Sequence, residues 1–156
     1  MLTIHSLAAR LLVCASLLGA TSCLAQGGAP GDAREGTFKT VQGDVTVVRG
    51  NVRSAAVPGA ALQTADRVLT GADSAASFTL RDGTMVSVGP DSAVDLSRFS
   101  YDATTQEGNL LVRLTRGALR LTTGLIAKLK PEQVEVTTPT TVIGVRGTDF
   151  IVEENP

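Results

Sequence analysis

"DSAASFTLRDGTMVSVGPDSAVDL", residues 73–96, decides the fold. Its apolar residues fall on every second position: Ala76, Phe78 and Leu80, then Val86 and Val88, then Val94 and Leu96. A period of two turns one face of an extended chain toward a core and the other toward water. Between the runs stand Asp73-Ser74-Ala75, Asp82-Gly83-Thr84 and Asp91-Ser92-Ala93, each starting nine residues after the last. Aspartate bonds its own backbone in tight turns, and glycine accepts positive φ. Nine residues make one short strand and one turn, which suits a β-meander or the rungs of a β-solenoid. The three aspartates read as turn formers. The second glycine and the further aspartates of calcium-binding nonapeptide rolls are missing.

The same alternation continues outward. Val45 and Val47 keep it, as do Leu110, Val112 and Leu114, Leu119 and Leu121, and Val134 and Val136. About nine such runs are visible, and no long helical period. Gly117 and Gly124 interrupt the stretch after Arg116, and "LIAKLK", 125–130, has room for one helical turn before Pro131 stops it. The expected fold class is all-β, with short strands arranged as a β-solenoid, a β-roll or a sandwich-like domain.

The 156 residues hold one domain and its appendages. Residues 1–25 read as a signal peptide: Arg10 precedes the apolar "LLVCASLLGA", which is too short to span a bilayer. Cleavage is expected after Ala25. The alternative is lipidation at Cys23, although a lipobox prefers leucine where Ala20 stands. Residues 26–36 read as a flexible leader, 37–152 as the β domain and 153–156 as a tail. Cleavage would remove Cys14, Cys23 and His5, so the mature chain would hold neither thiol nor imidazole.

That composition disfavours enzymes. Nucleophilic catalysis leans on cysteine or on serine with histidine, and transition-metal sites on imidazole or thiolate. Glu132 with Glu135 and Glu153 with Glu154 read as solvated charge, so no catalytic residue, metal or cofactor is expected. Fourteen basic against fifteen acidic residues give a formal charge of −1, without the basic excess that nucleic acid requires. No later segment is apolar for long enough to cross a membrane.

One stretch resists this simple reading: "TTPTTVIGVRGTDFIV", 137–152, carries Arg146 through an apolar segment between Gly144 and Gly147. The glycines suit positive φ or close backbone approach. The arginine reads as a buried or half-buried clamp, bonded to Asp149, to Asp66 or to loop carbonyls. The competing reading is an exposed, anion-binding arginine.

With its preceding valine, this stretch resembles the C-terminal signature of FecR-like domains. "GDVTVVRG", 43–50, resembles the opening strand of that family. Residues 65–99 resemble its central block, with D-x-x-x-T-G at Asp66, Thr70 and Gly71, D-S-A at residues 73–75 and D-G-T at Asp82, Gly83 and Thr84. "GALRLTTGLIAKLKPEQVEVTTP", 117–139, resembles the link to the signature in exported, stand-alone members. The resemblance spans about residues 41–152. It implies a β-solenoid-like fold and structural roles for Asp66, Thr70, Gly71, Asp82, Gly83, Thr138, Pro139, Gly144, Arg146, Gly147 and Thr148.

Founding members of that family are inner-membrane regulators that relay the state of an outer-membrane transporter to a cytoplasmic sigma factor. This sequence shows no counterpart of their sigma-binding domain, their internal span or their following smaller domain, and a truncated C-terminus is an open alternative. The expectation is therefore a non-catalytic, exported domain in the periplasm of a Gram-negative bacterium, binding another envelope component, a protein. The alternatives are a periplasmic part of a sigma-factor or transport signalling system, and binding of cell-wall glycan or a surface polymer.

Overall fold

The computed structural model describes residues 34–146 and 149–155. The expected signal peptide, Cys23, Ala25 and most of the expected leader lie outside the described residues, as do Gly147, Thr148 and Pro156. The sheet begins at Gly36 and runs through the expected tail as far as Glu154.

The alternation read from the sequence becomes a continuous strand architecture. β1 (Gly36–Gln42) leads into β2 (Val45–Arg49), β5 (Arg67–Thr70) into β6 (Ala75–Leu80), and β7 (Met85–Val88) into β8 (Ala93–Tyr101). β9 (Gly108–Thr122) does the work of such a pair alone. These are four long antiparallel strands, each bent near its middle. On one side of the bends the order is β1-β6-β7-β9, and on the other it is β2-β5-β8-β9. The order is therefore the same on both sides, and the sheet is one four-stranded meander folded along a crease.

Shorter strands border it. β3 (Val52–Ala55) pairs β2, and β4 (Ala61–Leu62) pairs β1. At the other border, β10 (Val134–Thr137) runs parallel to β9 and is itself paired by β11 (Val142–Gly144). β12 (Asp149–Glu154) runs antiparallel to the far half of β9. Every other pairing is antiparallel. Rungs of a β-solenoid stack in parallel, so the curled, sandwich-like form is the one this chain takes. The nine-residue rhythm is real, but its turns alternate in kind. Residues 81–84 close a hairpin, while 71–74 and 89–92 carry the chain across the crease.

Folding the sheet over itself closes the apolar face. All the alternating residues named from the sequence are buried, and side chains from both sides of the crease form one cluster. Phe38 and Phe78 meet edge to face within it, ring centroids 5.7 Å apart. After Gly124 comes the expected helical turn, α1 (Leu125–Leu129), which buries Ile126 and Ala127. Pro131 then begins a short 3-10 turn. Gly117 does not interrupt its strand. It takes φ +84 and bends β9.

Candidate functional site

Asp66, Thr70, Gly71 and Asp82 are each held by identifiable bonds within the fold. At the crease every long strand contributes one glycine: Gly43, Gly71, Gly89 and Gly117. The outer two take positive φ, and a Cβ there would lie 2.4 Å from Ser74 Oγ for Gly43 and 2.2 Å from Ser92 Oγ for Gly117. Those serines occupy the space. The Asp44 amide donates to Ser74 Oγ at 2.8 Å, and the Ala118 amide donates to Ser92 Oγ at 3.0 Å. Between them, Thr70 Oγ1 donates to the Gly89 carbonyl at 2.6 Å and accepts from the Ser92 amide at 2.9 Å. Gly71 accepts from the Asp91 amide and donates to the Asp44 carbonyl, both at 3.0 Å. Thr70, Ser74 and Ser92 are buried. Buried hydroxyls need such partners, and here the partners are the backbone groups that the bends would otherwise orphan.

Asp82 is also buried. Its carboxylate accepts from the Thr84 amide at 3.0 Å and from Thr84 Oγ1 at 2.7 Å. Thr84 Oγ1 in turn accepts from the Gly124 amide at 3.0 Å. A Cβ on Gly124 would lie 2.4 Å from the Asp82 carbonyl oxygen, so that close approach requires glycine. Gly83 takes φ +85, as the turn demands. The D-G-T motif thus ties the β6–β7 hairpin to the end of β9.

Asp66 is 0% exposed and forms the ion pair that the sequence reading assigned elsewhere. Arg49 grips it with Nε and Nη2, each at 2.7 Å, and the Gln63 amide adds a third bond at 2.7 Å. Arg49 itself is about half exposed, at 47%. A planar fork on a carboxylate is the strong form of this contact.

Among the described residues the expected clamp at Arg146 is not seen. Arg146 is exposed and makes no hydrogen bond or ion pair among the described residues. Both candidate carboxylates are held by other arginines, Asp66 by Arg49 and Asp149 by Arg120, whose Nε donates at 2.9 Å. The reason is alternation. Val145 is the buried member of the pair, and its neighbour therefore points outward. Gly144 has neither positive φ nor any atom within 4 Å of a Cβ position, so the expected need for glycine does not arise there. Thr138 and Pro139 lie in the exposed turn between β10 and β11, where Thr138 Oγ1 accepts from the Thr140 amide at 3.3 Å and the Thr141 amide at 3.1 Å.

Around Arg146 lies a shallow cleft shared with Thr123, Ala127, Lys128, Glu132 and Val145. Two cations against one acid make it mildly anion-attracting. Beyond it, Val142 and Ile151 are exposed at 66% and 64%. On β12, Asp149 holds its proton less readily than an ordinary carboxyl, chiefly because the Arg120 guanidinium bonds it. Arg67 makes an equivalent fork to Asp95 on the outer face of the other half-sheet.

Sequence reading missed Arg49, Ser74, Ser92, Thr84 and Gly124 as partners. One signal was available: the pentapeptide G-x-D-S-A occurs at residues 71–75 and again at 89–93, at the two inner bends.

Fold and motifs together define an all-β domain whose buried polar residues are spent on its own architecture, with an exposed, partly apolar border at β11 and β12. Residues 66–156 match the family described as FecR protein, and the chain belongs to that family. No curated protein and no solved structure matches it. The FecR family acts in signalling with sigma-factor and transport systems, at the membrane and in the periplasm, and interacts with other envelope proteins. No helix among the described residues is long and apolar enough to cross a membrane.

Proposed function

We propose that this domain is a non-catalytic binding module for another protein of the cell envelope, docked at the border formed by β11, β12 and the Arg146 cleft. One observation carries the reading. The motif residues Asp66, Thr70 and Asp82 are buried and internally bonded, whereas Arg146, the arginine of the C-terminal signature, stands exposed and unbonded among the described residues, in the connection between β11 and β12, the strands that carry exposed Val142 and Ile151. Arginine is among the residues enriched in protein contacts. The domain works in the periplasm, delivered by a leader cleaved after Ala25, and intact-mass measurement on envelope protein checks that start.

A photo-crosslinking residue at position 142, used in intact cells, tests the docking border. A discrete adduct with an envelope protein is expected, and its loss in Arg146→Ala. A crosslinker at exposed Lys39, on the opposite border, should give none. Adducts from position 39 alone would overturn the assignment. Family membership also favours a second reading, in which the partner is a component of a sigma-factor or transport signalling system. Identification of the captured protein separates the two.

A further inference from the structure

β12 pairs with β9 along its whole length, from Asp149 opposite Thr122 to Glu154 opposite Gly117. Among the described residues no strand pairs with its other side. On that side the N–H and C=O groups of alternate residues have no strand partner among the described residues. Natural edges of this kind are blunted by proline, a bulge or charged side chains, lysine above all, and the charges on this one are all acidic. Residues 149–154 contain no proline or lysine, and the register is unbroken.

Alternation sorts the side chains. Phe150, Val152 and Glu154 turn inward or are partly covered, while Asp149, Ile151 and Glu153 are exposed. The outer face of the edge therefore reads acid, apolar, acid. A second copy of this strand is a poor match. Antiparallel pairing about Ile151 sets Asp149 opposite Glu153 twice, and parallel in-register pairing stacks like acids. Like charges directly across a ladder destabilise it. Opposite charges there stabilise it. Asp149 already shares its charge with Arg120, so Glu153 is the acid with more to gain.

We infer that the free edge of β12 accepts an extended segment of another protein as an added strand, with an apolar residue opposite Ile151 and lysine or arginine two positions away on either side. The backbone supplies affinity, and the alternate side chains supply selectivity. This rests on the reading of the border as a protein-docking surface and names the partner's chemistry.

The test uses two synthetic heptapeptides on the full chain: Thr-Lys-Val-Ile-Val-Lys-Thr, and the same peptide with glutamate for both lysines. The cationic peptide should slow exchange of those amides of residues 149–154 that point away from β9, and bind at least 10-fold more tightly than the acidic one. Glu153→Lys, at an exposed site, should melt like the parent and narrow or reverse that preference. No slowing at millimolar cationic peptide overturns the inference, as does equal binding of the two peptides. So does protection of these amides without peptide, whether the protein is then a dimer (a second copy) or a monomer (its own chain covering the edge). If the peptides fail while the crosslink at position 142 persists, the docking border stands and only the added strand falls.

Discussion

Two arginines of this chain sit at opposite extremes. Arg49 lies in an ordinary strand and draws no attention in the sequence, yet it holds the buried carboxylate of Asp66 with two 2.7 Å bonds. Arg146 lies in the most conspicuous motif of the chain and holds nothing among the described residues. The hydroxyls at the crease and the carboxylate of Asp66 are held inside, where removal of one partner strands the other. The β10–β12 border keeps its charged and apolar groups outside, where removal changes only what a visitor meets. Conspicuous residues thus divide into those that the fold uses and those that it leaves available.

The sharpest break of the comparison is Arg49→Ala. It strands a carboxylate that is 0% exposed, with only the Gln63 amide remaining. Breaking such a pair by removing one partner costs about 3–5 kcal/mol, and half-exposed Arg49 places the expectation at the lower end, read as a lowered midpoint in a denaturant melt. Next comes Gly117→Ala. Its Cβ would lie 2.6 Å from Ser92 Cα, where backbone must move, so a loss of roughly 2 kcal/mol or more is expected. Gly83→Ala is its control: the φ is similar at +85 but the space is open, and about 1 kcal/mol is expected. Equal losses would mean that the crease is not tightly packed. Ser92→Ala leaves the Ala118 amide without its acceptor and should cost about 1–2 kcal/mol in the same melt.

Arg146→Ala belongs at the other end. Exposed and without a bond among the described residues, it should melt within about 0.5 kcal/mol of the parent while losing the crosslinked partner. A large drop in the midpoint would erase the contrast between the two arginines. The smallest effect concerns acid. Asp149 is bonded to Arg120 and its proton affinity is lowered. A lowered folded-state value stabilises above the ordinary carboxylate range, and that help fades as pH falls through the range and below. Asp149→Asn should therefore differ slightly from the parent at neutral pH and not at all in strong acid, with the carboxyl titration followed by NMR.

The strands were legible because burial on one face imposes period two, and every alternating residue read from the sequence is inside. Ion-pair partners were not. Arg49 and Asp66 are 17 residues apart and meet only because the chain folds back between them. Arg146 misled because its apolar neighbours suggested burial, whereas in extended chain the neighbour of a buried residue faces away. Gly117 suggested a break because a glycine in a strand does not announce whether the strand ends or turns a corner. The border was legible only as a motif. Its exposure is a fact of where β9 places its last partners.

The crease also determines where the chain can change length. At 43–44, 71–74, 89–92 and 117–118 four strands share one set of bonds. One added residue there would pull a serine from its glycine's side and turn every following side chain to the wrong face. Residues 57–59 and 102–107 lie away from the crease, exposed, and a Cβ on Gly59 would meet only open space. Such loops absorb insertions at little cost. Relatives that differ in size should therefore differ at the rim, while the spacing between bends stays constant.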